Sequence, residues 1–563
     1  MTAEKKILQT IAQELKIPLN QVTDTIKLLD DGNTVPFIAR YRKEVTGGLD
    51  EEQIFALQQQ AAYQRNLYQR KEEVLRIIAE QGKLTPELER EIKDSTKLQQ
   101  VEDLYRPFKP KRNTRGSKAR AAGLEPLAEI LVSGEREPLS AAEDYLNEEV
   151  ADVSAALQGA MDIIAEDFAD AAFNRMIARR RTWDKAFLVV KASDEKAQSV
   201  YEMYYDYREP VAALPSHRGL AINRGEKEEY LKVSLEFEAT YLLQELWRRN
   251  YSPQREDAAD YVRRAMEDGY QRLLAPAVER DIRRELTDMS QASAYKLFAT
   301  NLTSLLLQPP TRDRTVLGVD PAYRTGCKLA VVDSTGKLLE IDVIFPTPPR
   351  NQVEQSKRRI KELVEEHGIN VIAIGNGTAS RETTELIGEL TQEMSGVGYT
   401  VVDESGASVY SAAPLAKEEF PELDVSERSA VSIARRLQDP LSELVKIPPQ
   451  SIGVGQYQHD VDQKELSRIL GEVVETCVNR VGADLNTASA PLLSYIAGVK
   501  PSVAKSIVTW RQEKGAFADR KELLQVPRLG EATFQQCAGF LRIREGENPL
   551  DATTVHPESY EVA

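Results

Sequence analysis

A chain of 563 residues has room for three to five domains at roughly 150 residues each, and a composition that is 41% hydrophobic and 29% charged supplies several apolar cores and excludes global disorder. The formal charge of -16 excludes a uniformly basic surface, so a polyanion could be met only through local patches. The three cysteines, Cys327, Cys477 and Cys537, form no CxxC pair, and the four histidines are too few for a histidine-rich centre, so neither a metal nor a cofactor is expected.

The opening MTAEKKILQTIAQELK lacks the continuous apolar core of a signal peptide, and no run reaches the roughly 18 residues needed to cross a bilayer. No membrane association and a cytoplasmic location are therefore expected. The stretch ILQTIAQELKIPLNQVTDTIKLLDDG has two short helical periods broken at Ile17 and Pro18, the outline of a helix-turn-helix. Its second helix offers only Lys27 against Asp24, which suits protein contact or packing better than a DNA groove. Leu67, Val74 and Ile78 continue the helical spacing, Thr85 before Pro86 marks a helix start, and Ser140 with Glu143 has capping-box spacing. Residues 1–105 thus form an N-terminal helical region and 106–312 a helical middle region.

Between them, RPFKPKRNTRGSKAR carries seven basic residues and no acid, interrupted by Phe108. Lys109, Lys111, Arg112 and Arg115 are candidate contacts to a phosphate backbone, with the aromatic available for stacking; a solvated interdomain loop is the competing reading. The tyrosines at 201, 204, 205 and 207 are expected in a core or interface.

Near residue 313 the texture changes. TVLGVD, CKLAVVD and KLLEIDVIF are three strands in quick succession, followed by a charged helix over 352–367, the strand VIAIG, a helix after Arg381, the strand YTVVDE and a helix from about Ser426. The order βββαβαβα over 313–446 gives a mixed sheet flanked by helices, as in the ribonuclease H fold. Asp320 ends the first strand, where nucleases of that fold and of the resolvase type hold a metal ligand. Such chemistry needs three or four acids around two divalent ions. Asn376 stands where a second acid would follow the fourth strand, and Glu404 and Asp424 complete only a partial, vestigial set. A turn residue before Pro321 is the plain alternative for Asp320. A metal-dependent, structure-specific nuclease using this domain is an alternative function; an inactive domain is the expectation.

From 447 to 550 the chain is helical again, and DLNTASAPLLSYIAGVKPSVAKSIVTWRQEKGAFADRKELLQVPRLGEATFQQCAGFL contains two helix, tight turn, helix units (484–544) resembling paired helix-hairpin-helix modules. Glycine there lets a phosphate approach the backbone, and the N–H groups opening the next helix bind it. The first unit has Gly498 and then Lys500; the second has Arg528 and then Gly530. Asp484–Arg544 carries nine basic against five acidic residues, a local net of +4. Lys500, Lys505, Arg511, Lys514 and Arg528, with both glycines, are the candidate nucleic-acid contacts, and binding should be salt-sensitive and indifferent to base sequence. Packing of domains is the alternative use of such hairpins. Residues 551–563 look like a linker.

Together, VPFIARYRKEVTGGLDE, LPSHRGLAINRGEKE, LGVDPAYRTG, IGNGTASRET, ESGASVYSA, SIARRLQDPLSELVKI, GVGQYQHDV and LNTASAPLL, in this order, resemble the Tex family of bacterial transcription accessory proteins across almost the whole chain. The resemblance implies a multi-domain protein, mainly α, with one α/β ribonuclease H-like (resolvase-like) domain and a tandem helix-hairpin-helix domain. It implies a non-catalytic factor related to a eukaryotic transcription elongation factor, with RNA and also DNA, RNA polymerase or its elongation complex, and the ribosome as partners. A protein-binding adaptor of polymerase or ribosome is a further alternative. The family also has an S1 domain, a β-barrel that would follow the linker and that these 563 residues do not include.

Overall fold

Apolar residues spaced three and four apart within charged sequence bury one stripe of each helix, and most of the chain is helical for that reason. The computed structural model describes residues 3–110, 113–311 and 313–563. They divide into two compact units, one made of the N-terminal residues to Ile11 with Gln59–Ser293, the other of Ala12–Gln58 with Ala294–Ala563. The region expected over 1–105 is therefore not one unit, because Ala12–Gln58 packs with the far C-terminal part.

In the first unit, α1 (Leu98–Tyr105), α2 (Arg115–Ala121), α3 (Val153–Asp170) and α4 (Ala172–Lys185) surround apolar cores that include Leu127, Ile164, Phe168 and Val262. Thr85 caps its helix as expected, accepting from Leu88 N–H. The capping box at Ser140 is not formed: the helix starts earlier, at Pro138, and Glu137 accepts from the N–H groups of Leu139 and Ser140. A buried ion network ties α1 to α4, with Arg175 Nε 3.0 Å from Asp103 and Arg179 Nη2 3.0 Å from both Asp103 and Asp281.

The middle region is not all helix. Strands β1 (Phe187–Ala192), β2 (Asp206–Pro210) and β3 (Leu231–Glu236) form an antiparallel sheet of order β2-β1-β3. Its outer strands alternate exposed with half-buried residues, so acids and bases interrupt the apolar signal at every second position. Tyr201 and Tyr204 are buried beside it, as expected, with Tyr204 edge-on to Tyr207 at 5.4 Å.

In the second unit, β4 (Val316–Asp320), β5 (Cys327–Val332), β6 (Leu338–Ile344), β7 (Val371–Gly375) and β8 (Gly398–Val402) make a mixed sheet of order β6-β5-β4-β7-β8. The first three strands are antiparallel; β4, β7 and β8 are parallel and joined through α5 (Val353–His367) and α6 (Ser380–Gln392). This is the expected βββαβαβ order. Helix α7 (Val425–Gln438) lies on the central strand because the contact is built from small residues: a Cβ on Gly318 would sit 2.2 Å from the Ala430 carbonyl.

C-terminal to this domain come α8 (Gln463–Val481), α9 (Ala490–Leu493), α10 (Pro501–Lys514) and α11 (Glu531–Cys537). Residues 551–563, expected as a linker, fold back instead. Fully buried Arg520 donates to the carbonyls of Leu541 (2.7 Å), Thr553 (2.6 Å) and Val555 (2.8 Å) and to the Tyr560 hydroxyl, and Asp551 accepts from Arg520 N–H. The composition of the tail hid this, since its anchor lies some thirty residues upstream. The N-terminal helix Val35–Tyr41 packs on the same segment through Phe37 and Tyr41 against His556.

Candidate nucleic-acid interface

Each helix-hairpin-helix turn begins with a carbonyl accepting from the N–H three residues on: Ile496 from Val499 at 2.9 Å, Val526 from Leu529 at 3.1 Å. A turn of this kind needs a positive φ at its third residue, which falls on Gly498 (+76°) in the first hairpin and on Arg528 (+71°) in the second. Pro527, just before Arg528, suits the second position of the same turn. The two hairpins therefore share one backbone shape, and an arginine occupies the glycine position of the second at a cost of about 1–2 kcal/mol. Lys500 and Gly530 precede the following helices in extended conformation, which any residue adopts.

The 14-residue α10 opens without a side-chain cap: Lys500 has no capping oxygen and Pro501 takes the first helical position. Pro501 has no N–H and those of Val503 and Ala504 donate to the Lys500 carbonyl, which leaves the Ser502 N–H for an anion. Lys500 and Lys505 are exposed at this end of α10, Lys514 at its far end and Arg528 in the second hairpin. Arg511 is not with them. Its Nη1 donates to the carbonyls of Leu485 (2.9 Å) and Ala488 (3.1 Å), bracing the loop before α9, and burial lowers its pKa. Arg520 and Arg542 are likewise withdrawn from the basic surface counted by composition, Arg520 fully buried and Arg542 half-buried.

Three of the five described basic residues of the stretch 106–120 are paired with acids. Arg106 pairs with Asp170 at 2.6 Å, Lys109 with Glu102 at 2.5 Å while lying over the Tyr105 ring, and Arg120 with Asp167 and Glu125. Arg115 is exposed at the start of α2. Lys111 and Arg112 lie outside the described residues.

On the mixed sheet, Asp320 and Glu404 come together. Burial raises both pKa values, Ser429 on α7 hydrogen-bonds Asp320, and the negative charge of Asp320 further raises that of Glu404. Glu404 lies against Gly375 and Gly377, where a Cβ would collide with its carboxylate, and its Oε2 is buried without a partner. Arg436, which sequence reasoning missed, fixes the loop after β8 by donating from Nη1 to the carbonyls of Asp403 and Ser405, both at 2.8 Å. Asn376 accepts from Glu404 N–H at 3.0 Å. Asp424 does not join the pair: it is exposed and caps α7, accepting from Glu427 N–H while Glu427 accepts from its own N–H. Two carboxylates, an engaged amide and a helix cap do not fit the acid set of a two-metal nuclease. Among the described residues, the one three-ligand cluster of metal-binding spacing, Glu340, Glu366 and His367, lies elsewhere, and Arg359 already pairs with Glu340 at 2.5 Å.

A sheet of ribonuclease H order and tandem hairpins define a multi-domain protein of the helix-hairpin-helix, nucleic-acid-binding class. Residues 5–79 match the Tex-like protein N-terminal domain, 134–298 the Tex central region-like domain, 314–438 the Tex protein YqgF-like domain and 478–542 a helix-hairpin-helix motif. The chain is 47% identical to the transcriptional accessory protein Tex of Neisseria gonorrhoeae over 567 residues, covering 99% of this chain and 74% of that one. It is 45% identical to the protein tex of Bordetella pertussis, covering 99% and 73%. To the human S1 RNA-binding domain-containing protein 1 it is 33% identical, covering 99% of this chain and 63% of that one. The chain belongs to the Tex family. Among the described residues, no helix is long and apolar enough to cross a membrane.

Proposed function

We propose that this chain is a cytoplasmic, nucleic-acid-binding transcription accessory factor that acts as a non-catalytic scaffold, gripping the phosphate backbone of RNA, and also of DNA, without reading bases. The observation that carries this reading is the uncapped start of α10 beside Gly498, with exposed Lys500 and Lys505 on its first turns and exposed Arg528 in the second hairpin. An arginine at 528 in a strained left-handed turn, where glycine would relieve the strain, supports a role for its charge. The relatives' names, a transcriptional accessory protein and an S1 RNA-binding domain-containing protein, support the setting. RNA polymerase or its elongation complex is the protein partner of this scaffold, with the ribosome second.

The absence of catalysis is supported by Asn376 and by the capping role of Asp424. One observation favours the competing nuclease reading: the unpartnered Glu404 oxygen near Asp320. Both readings are tested with unrelated RNA and duplex DNA sequences and with branched substrates in Mg²⁺ or Mn²⁺. Similar affinities for all duplex sequences, and for single strands of different order but like base composition, and intact substrates are expected. A strong preference for one sequence would overturn backbone binding, and cleavage abolished by Asp320→Asn would overturn the scaffold.

A further inference from the structure

The first hairpin turn forms one wall of a groove of about 710 Å³ that phosphate binding does not use. Opposite walls come from α8 and α11, and the floor includes Tyr495 and Glu475. Three properties of this groove point to a planar, hydrogen-bonding occupant attached to a phosphate. Gly498, Val499 and Lys500 line it, so an anion held at the start of α10 lies at its rim. Tyr495 is half-buried in it and offers aromatic surface. The Glu475 carboxylate, also half-buried, has no hydrogen bond or ion pair with a described residue, whereas its neighbour Glu472 is held by Arg468 at 2.5 Å. Once ionised, above about pH 7, a carboxylate lining a groove without a cation is an acceptor awaiting N–H donors.

We infer that this groove receives one unpaired nucleobase of a single strand, its phosphate held at Lys500 and the start of α10, its face on Tyr495 and its pairing-edge N–H groups on Glu475. The inference rests on the phosphate-binding reading above and deepens it: the hairpin would hold any backbone, but only a strand free to turn a base outward fills the groove. The two oxygens of Glu475 match side-by-side N–H donors, as on guanine, better than the lone N–H between two carbonyls of uracil.

The test uses the full chain, fluorescence anisotropy at pH 8, where Glu475 is ionised, and three probes: a short oligouridine RNA, the same RNA with one central guanosine, and a blunt duplex DNA of equal length. Wild type should bind the guanosine RNA more tightly than oligouridine. Tyr495→Ala should weaken single-strand binding about tenfold, the loss of one stack, and leave duplex binding unchanged. Glu475→Gln, nearly isosteric and so a check on folding, should remove the guanosine preference alone. Equal loss on duplex and single strands, or no loss in either variant, would overturn the groove assignment while leaving backbone binding intact. Failure of wild type to bind any probe would overturn the underlying reading and the inference with it.

Discussion

Replacing Arg528 by glycine should make the protein more stable and a poorer nucleic-acid binder. The residue holds φ at +71°, a conformation that disfavours side chains by about 1–2 kcal/mol. Glycine removes that penalty but gives back about 0.5–1 kcal/mol in backbone entropy of the unfolded chain. The Arg528 side chain is exposed, so little packing is lost, and the net expectation is about 0.5–1 kcal/mol of stabilisation. Arg528→Ala keeps the strain and loses the charge, so it should weaken binding without stabilising. The mirror change, Gly498→Ala, should destabilise by about 1–3 kcal/mol, since it adds left-handed strain and a Cβ 2.9 Å from that of Gln536. Denaturant midpoints compare the three variants, and anisotropy with RNA follows binding for the two at Arg528. If Arg528→Gly destabilised the protein, or bound RNA as well as wild type, the argument that strain is kept for the sake of charge would fail.

Glu475 gives a pH-dependent prediction. Burial, reinforced by the charge of Glu472, pushes its carboxyl up to about 7, so the folded chain holds a proton that the unfolded chain releases above the ordinary carboxylate range. Stability should therefore fall as pH rises from about 4.5 to 7, and Glu475→Gln should recover about 1–3 kcal/mol at pH 8 and nothing at pH 4, read from unfolding curves. Asp103→Ala leaves Arg175 and Arg179 with Asp281 alone and should destabilise the first unit by about 1–3 kcal/mol, seen as early proteolysis within Gln59–Ser293. Asp424→Ala removes a helix cap and should cost about 1 kcal/mol in thermal unfolding while leaving RNA affinity unchanged.

The mixed sheet was legible because its core strands are short apolar runs, such as VLGVD and CKLAVV, bounded by turn residues. The three-stranded sheet around Phe187 was not, because strands such as DYREP place charges at alternate positions and a proline at the end. Among the candidate contacts, exposure of Lys500, Lys505 and Lys514 followed from charge in a polar helix, but the roles of Lys109 and Arg511 depend on partners that sequence does not place. Lys109 meets an acid on the preceding helix and Arg511 meets loop carbonyls more than twenty residues upstream. Aligning IAGVK with VPRLG would have put Arg528 in the left-handed position. The groove draws on four segments between Gly32 and Gln536, and no local pattern announces it.

The salt dependence of RNA binding by Lys500→Ala/Arg528→Ala, set against wild type, tests the central claim most directly. Each lost phosphate contact on a single strand should lower the slope of log K against log salt by about 0.7, so the double variant should lose about 1.4 from the slope and bind more weakly at low salt. An unchanged slope, with affinity equal to wild type at every salt concentration, would contradict the assignment of the hairpins as the grip on the nucleic-acid backbone.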